Sequence, residues 1–182
     1  MVKLTITIPT FNGGKNLERA VRSCKNIRLS TEDYEILVID NCSTDDSILT
    51  VKQLKNEFKN LRLIENQENV GRIQNWNVSI ENSNGKFLIF LFSNDMINEE
   101  NNIHECLKIL DSDDAISIGF ASLLKKDADI SNVKKSFSSE IIQCRSECFT
   151  RECLNRGLLP FGPIQSIIYR IEDIKKDNNK FL

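Results

Sequence analysis

Short runs of consecutive apolar residues alternate along this chain with longer segments whose apolar positions recur every three or four residues. The runs at 4–8, 35–40, 61–64, 87–92 and 115–120 have the length and β-branched character of strands. Between them, Leu17, Ala20, Val21 and Cys24 fall at helical spacing, as do Ile48, Val51, Leu54 and Phe58. Residues 70–82 and 98–110 carry two further helical patterns. The second strand holds Ile36-Leu37-Val38-Ile39 without a polar break, as expected of a strand covered on both faces. Strand–helix alternation of this kind predicts an α/β fold with a mostly parallel central sheet and helices on both faces. After Phe120 the rhythm weakens. Residues 125–139 read as a polar loop, 140–144 as a strand, 146–155 as a helix, 159–163 as a turn and 164–169 as a last strand.

In open α/β sheets, ligands bind beyond the carboxyl ends of the strands. Three polar clusters fall at such ends: Thr10-Phe11-Asn12 after Pro9, Asp40-Asn41, and Ser93-Asn94-Asp95. Ser43-Thr44-Asp45-Asp46 supplies capping chemistry for the second helix, and Gly71-Arg72 opens the third. A free helix N-terminus with an adjacent arginine suits a phosphate group.

Composition narrows the choice. The 182 residues carry 24 basic and 26 acidic side chains, a net charge of −2, without the basic surplus of a nucleic-acid binder. No run is long and apolar enough to span a bilayer, and the first residues enter a strand pattern directly, so no signal peptide is expected. The six cysteines then read as reduced thiols of a cytoplasmic protein. Cys144, Cys148 and Cys153 lack the paired spacing of a zinc site. No G-x-G-x-x-G follows the first strand, which argues against a dinucleotide oxidoreductase.

The ordered motifs carry a more specific signal. Thr7-Ile8-Pro9-Thr10-Phe11-Asn12 and Val38-Ile39-Asp40-Asn41-Cys42-Ser43-Thr44-Asp45 resemble the I-P-T-Y-N and V-D-D-G-S-T-D strand ends of family 2 glycosyltransferases. Glu68-Asn69-Val70-Gly71, Asn75-Trp76-Asn77 and Gly85-Lys86-Phe87 are similar to that family's N-x-G, N-W-N and G-E-Y blocks. Gly162-Pro163-Ile164-Gln165-Ser166 is similar to its G-x-P-S segment. The resemblance spans nearly the whole chain, in the family's order. It implies a GT-A-like nucleotide-diphospho-sugar transferase fold, with residues 1–120 as the donor-binding core and 121–182 as an incomplete acceptor-side segment. It implies transfer of a sugar from a nucleotide-sugar donor, most naturally a UDP-sugar, to a carbohydrate or lipid-linked glycan acceptor with inversion, in cell-surface polysaccharide or glycoconjugate synthesis. The setting would be the cytoplasm or the inner face of the membrane, with peripheral membrane contact or self-association wherever apolar surface is left uncovered.

By the same resemblance, Phe11 would stack on the base and Asp40 would accept its ring N–H. Pro9, Thr10, Asn12, Asn41, Gly71, Arg72, Asn75, Asn77, Ser93 and Asn94 would line the nucleotide site, and Trp76 would pack. The family's D-S-D-D becomes Phe92-Ser93-Asn94-Asp95, which leaves Asp95 as the carboxylate for a Mn2+ or Mg2+ ion. Asn41 stands for a second Asp and Cys42 for a Gly. No catalytic base is assigned: Glu172-Asp173 sits at a helix start in this register, and His104 reads as a surface or packing residue. A nucleotide-sugar-binding remnant lacking its base is therefore the alternative to a working transferase.

Overall fold

The computed structural model describes residues 2–99, 101–112, 118–120, 124–125 and 167–176. The strands are β1 (Leu4–Thr10), β2 (Tyr34–Asp40), β3 (Leu61–Glu65), β4 (Phe87–Phe90), β5 (Asp95–Met96), β6 (Ile118–Phe120), β7 (Leu124–Lys125) and β8 (Ile167–Arg170). The helices are α1 (Gly14–Ser23), α2 (Ser47–Leu54), α3 (Arg72–Asn82), α4 (Ile103–Ser112) and α5 (Ile171–Lys176), with a 3-10 turn at Cys24–Asn26. The main sheet runs β3-β2-β1-β4-β8-β6. The first four in that order are parallel, while β8 is antiparallel to both its neighbours. The expected mostly parallel sheet is present, and among its described strands β8 is the reversed one. An apolar run alone does not encode direction, so this reversal was not readable from the pattern.

The pleat sorts side chains between two layers. Leu4, Ile6 and Ile8 of β1 join Ile36, Val38, Phe87 and Ile89 in a core covered by Leu17, Ala20 and Val21 of α1, Val51 and Leu54 of α2, and Leu107 and Leu110 of α4. On the opposite face a smaller cluster joins Ile80 of α3, Leu88 and Phe90 of β4 and Ile171 of α5. Helices therefore cover both faces. Among the described residues no helix is long and apolar enough to cross a membrane.

Several boundaries shift for local reasons. The strand expected at 87–92 ends at Phe90, because the Phe92 carbonyl turns to accept the Asp95 N–H at 2.9 Å. The helix expected from 70 begins at Arg72, after Gly71 at φ 82°. The Val70 N–H is instead bonded to Asn41 Oδ1 at 3.0 Å. The helix expected from 98 begins at Ile103, whose N–H is capped by Asn101 Oδ1 at 3.2 Å. Phe58, expected within the second helix, lies beyond its end at Leu54 yet is buried in the core. Asp46 occupies the α2 N-cap position without a side-chain bond; Asp45 Oδ1 accepts the Ser47 N–H at 3.0 Å instead. Glu172-Asp173 lies in the first turn of α5, as its register required. Asp111, near the end of α4, forms a 2.7 Å ion pair with Lys86. The Gly162–Ser166 motif, Cys144, Cys148, Cys153 and the elements expected between 126 and 166 lie outside the described residues.

Candidate functional site

Strand order reverses at β1: β2 and β3 lie on one side and β4 on the other. The crevice beyond β1 and β4 is thus the topological switch point where such sheets take ligands. All three polar clusters lie at or just after the carboxyl ends of β1, β2 and β4. Thr10 and Asp40 are lateral partners in the β1–β2 ladder. Ser93-Asn94-Asp95 follows β4 on the opposite flank, two strand spacings or about 10 Å from β2.

Asp40 is the most informative group. It is 1% exposed. Oδ2 accepts the Ser43 N–H at 2.8 Å, but Oδ1 is buried with no hydrogen-bond partner among the described residues. Burying an unpaired carboxylate oxygen costs at least about 1–3 kcal/mol. Such an atom at a strand end keeps the capacity to accept one further hydrogen bond. The Thr10 hydroxyl, on the neighbouring strand, is likewise buried and unpartnered. Beside them the Phe11 ring is 50% exposed, one of two large hydrophobic side chains left open among the described residues.

The turn that carries Phe11 is built from its own polar groups. Asn12 adopts φ 53°, a conformation asparagine tolerates better than most residues. Its N–H donates to Ser43 Oγ at 2.8 Å, and its Oδ1 accepts the Thr44 N–H at 2.9 Å. Ser47 Oγ accepts from the N–H groups of Gly13 and Gly14 at 2.9 and 3.1 Å. A Cβ at Gly13 would meet Thr10 Oγ1 at 2.5 Å, so a side chain at that position would force the Thr10 hydroxyl to turn away. The β2 turn contains Cys42 at φ 64°. A cysteine therefore adopts the left-handed backbone that glycine would adopt more cheaply.

The structure separates the expected nucleotide-site asparagines by what they touch. Asn41 is enclosed in an amide network. Its Nδ2 donates to Asn69 Oδ1 at 2.8 Å, and its Oδ1 accepts from Asn66 Nδ2 at 3.1 Å and from the Val70 N–H. Asn75 is buried, donating to the Ile39 carbonyl at 3.3 Å and accepting from Asn66 Nδ2 at 2.9 Å. These two amides fix the 66–71 loop against β2 rather than facing the crevice with free groups. Asn77 is also buried, with Nδ2 donating to Gln74 Oε1 at 3.4 Å. Asn66 and Asn69 are the network members that sequence reasoning missed as individuals; their clustering just after the third strand was the available signal.

Arg72 opens α3, and its guanidinium lies over the Trp76 ring at 5.5 Å. Trp76 stacks on Phe92, with centroids 5.4 Å apart and planes at 22°, and tilts against Phe90. Trp76 thus packs, as expected, and it also links Arg72 to the segment that follows β4. Phe92 fills the aromatic stack where the family pattern has an acid. In the Ser93-Asn94-Asp95 cluster, Asn94 is exposed and its Oδ1 accepts from Asn16 Nδ2 at 3.1 Å. Asp95 is 7% exposed. Among the described residues no group of three or more His, Cys, Asp or Glu side chains could hold a metal ion. A closed all-protein metal cage is therefore absent from them. The one carboxylate of this cluster, Asp95, would suit an ion of the magnesium type, which takes one or two carboxylates and completes its shell with phosphate oxygens and water.

His104 lies in the first turn of α4 and is partly exposed. Of the described cysteines, Cys24 is buried and Cys42 and Cys106 are partly so. Burial pushes the Cys106 thiol up to about 11 and the Cys24 thiol higher still, which disfavours the reactive thiolate at both.

The comparisons with known proteins agree with this architecture. The chain is 30% identical over 101 residues to the poly(ribitol-phosphate) beta-N-acetylglucosaminyltransferase TarS of Staphylococcus aureus, covering 55% of this chain and 18% of TarS. It is 32% identical over 100 residues to the poly(ribitol-phosphate) beta-glucosyltransferase of Bacillus spizizenii, 54% of this chain and 16% of that protein. The matched stretch therefore spans less than a fifth of the length of these relatives. The crystal structure of TarS residues 1–349 superposes with a TM-score of 0.72 at 21% identity, over 100% of this chain and 50% of that one. A mannosyltransferase from Pyrobaculum calidifontis, solved in complex with GDP-Man and Mn2+, gives 0.68 at 14% identity, over 96% and 46%. These likenesses establish the GT-A fold. The family model for glycosyl transferase family 2 matches residues 5–176, and the chain belongs to that family.

Proposed function

We propose that this chain binds a nucleoside-diphosphate sugar, a UDP-sugar by preference, beyond the ends of β1, β2 and β4, and serves its transfer to a carbohydrate or lipid-linked glycan hydroxyl with inversion. The observation that carries the reading is the orphaned Asp40 Oδ1 beside the open Phe11 ring. A uracil presents an aromatic face for that ring and one N3–H for that oxygen. The charge-assisted bond would remove the cost of leaving the carboxylate oxygen unpaired.

Residues 1–120 supply the donor side in this reading, and residues 121–182 part of the acceptor side. Arg72, carried on Trp76, and the N-terminus of α3 offer positive charge and free N–H groups to the diphosphate. Asp95 would hold a Mn2+ or Mg2+ ion, with Ser93 and Asn94 beside it. That ion, when bound, neutralises charge developing on the departing nucleoside diphosphate. In the transfer the acceptor oxygen forms a bond to the anomeric carbon as the bond to the diphosphate oxygen breaks. The acceptor proton passes to a base, and the nucleoside diphosphate leaves with the electron pair. A continuous family match from 5 to 176 supports a transferase over a binding remnant. The named activities of TarS and the Bacillus spizizenii enzyme support a cell-surface polymer as the product.

Titration calorimetry with UDP and with GDP, on the wild type and on Asp40→Asn, tests the reading. UDP should bind the wild type more tightly than GDP, and Asp40→Asn should lose at least about tenfold in UDP affinity, or 1.4 kcal/mol. Equal UDP affinity in the two proteins would remove Asp40 from the site.

A further inference from the structure

Besides its apolar face, the segment formed by α1 and the following 3-10 turn carries a polar stripe. Asn16, Arg19, Ser23 and Asn26 are spaced three, four and three residues apart, so they share one side of the helical path. Every one of them reaches the chain just after β4. Asn16 Nδ2 donates to Asn94 Oδ1 at 3.1 Å, and Arg19 Nη2 to the Asn94 carbonyl at 3.4 Å. Ser23 Oγ accepts the Ile97 N–H at 2.9 Å while donating to the Ala20 carbonyl at 2.7 Å. Asn26 Nδ2 donates to the Ile97 carbonyl at 2.7 Å, and the Asn26 carbonyl accepts from Asn101 Nδ2 at 3.1 Å.

Asp95 lies between the two clamped residues. Both backbone polar groups of Ile97 are satisfied by side chains of this stripe, and the Ile97 side chain is buried in the core. The sheet contributes much less here, because β5 is two residues long and among the described residues pairs only with the two residues of β7. The same helix starts at the Gly13-Gly14 turn directly after Thr10, Phe11 and Asn12. One rigid element thus joins the proposed base pocket to the proposed diphosphate and cation site.

We infer that Ser23 and Asn26 are positioning residues that set the height and direction of the Asp95 carboxylate through Ile97, and so tune cation-dependent nucleotide binding without touching the ligand. The inference rests on the reading of Asp95 given above. Partners that orient a metal-holding group characteristically change metal affinity when removed.

The test titrates UDP calorimetrically in EDTA and again in manganese chloride, on the wild type, Ser23→Ala, Ser23→Thr, Asn26→Ala and Arg22→Ala. Arg22 lies on the same helix but pairs outward with Glu18 and Glu57, so its variant controls for general loosening of α1. Ser23→Ala and Asn26→Ala should keep the metal-free UDP affinity and lose about tenfold of the manganese-induced gain. They should also speed amide hydrogen exchange across residues 94–98. Ser23→Thr, which keeps the hydroxyl, should restore the gain, and Arg22→Ala should leave it intact. If Ser23→Ala fails to fold, the partly exposed Asn26→Ala carries the test by itself. Manganese gains equal to wild type in the alanine variants would overturn the inference while leaving the nucleotide site standing. A wild type that binds UDP without any manganese response would also overturn it. A wild type that binds no UDP in either buffer would instead remove the underlying donor-site reading.

Discussion

β2 buries two carboxylates, five residues apart, at opposite ends of the same strand, and the molecule treats them differently. Glu35, 4% exposed, is saturated. Oε1 accepts from the Thr5 hydroxyl and the Asn84 N–H, both at 2.7 Å. Oε2 accepts from Asn84 Nδ2 at 3.2 Å and from Arg62 at 2.6 Å. Asp40, buried still more deeply, keeps one oxygen unpaired. Structural carboxylates close their hydrogen bonds within the protein, whereas one that leaves a bond open at a ligand-binding edge is poised for something from outside. The amino end of the sheet therefore behaves as a foundation and the carboxyl end, in the proposed function, as a receptor.

The foundation should break hardest. Gly85 donates its N–H to Thr5 Oγ1 at 2.9 Å, and a Cβ there would meet the Thr5 nitrogen at 2.5 Å and the Leu4 carbonyl carbon at 2.8 Å. These are backbone atoms that cannot swing aside. Gly85→Ala should cost about 3 kcal/mol or more, seen as a large fall in the urea midpoint or as insoluble protein. Stability within about 0.5 kcal/mol of wild type would show that the edge gives way more easily than its contacts indicate.

The two carboxylates should then separate cleanly. Glu35→Gln removes the charge facing Arg62 and places an amide donor among existing donors, a loss of about 2–3 kcal/mol with little change in UDP binding among folded molecules. Asp40→Asn should do the reverse. Its amide oxygen can still accept from Ser43, so stability should change by less than about 1 kcal/mol while UDP affinity falls. If both substitutions damage stability equally, the contrast between foundation and receptor is wrong.

The receptor end has its own gradation. Trp76→Ala removes the stack on Phe92 and the platform under Arg72. A half-buried aromatic of this kind should cost about 2 kcal/mol in stability, together with a several-fold loss of UDP affinity that Trp76→Phe largely recovers. Cys42→Gly should act in the opposite direction. It relieves a left-handed non-glycine residue, a strain of about 1–2 kcal/mol per residue, partly offset by the entropy glycine loses on folding. A net gain under about 1 kcal/mol in chemical denaturation is expected.

Much of this division was legible before any coordinates. Continuous apolar runs announced strands buried on both faces, and the polar residues that ended them marked the crevice, because strand ends in such sheets are where backbone pairing stops and chemistry begins. Asp40, Phe11 and Asp95 stood out for that reason. What did not show was the use of individual amides. Asn41 and Asn75 look like any site asparagine in the sequence, yet their partners, Asn66 and Asn69, come from a loop whose path depends on the whole sheet. The reversal of β8 and the α1 stripe were hidden for the same reason: each is a relation between segments roughly 70 residues or more apart rather than a local period.

The smallest effect sharpens the boundary between the two regions. Asp45 stands at the edge of the receptor turn, and its carboxyl is held below the usual carboxylate range, chiefly by the Ser47 hydroxyl and then by backbone N–H groups of Ser47 and Gly14. It sits just before α2, where a negative charge interacts favourably with the helix N-terminus. A carboxyl whose folded-state value is depressed stabilises the fold above its unfolded value, and that contribution disappears as pH falls through the folded value. Asp45→Asn should therefore be slightly less stable than wild type at neutral pH, by no more than about 0.5 kcal/mol given the exposure of the group. The two proteins should become equal under acid conditions, below the depressed carboxyl value. Denaturation curves at neutral and strongly acidic pH decide it. A gap that persists unchanged into acid would mean that Asp45 supports the turn through its shape and hydrogen bonding rather than its charge, placing it with Glu35 among the foundation residues.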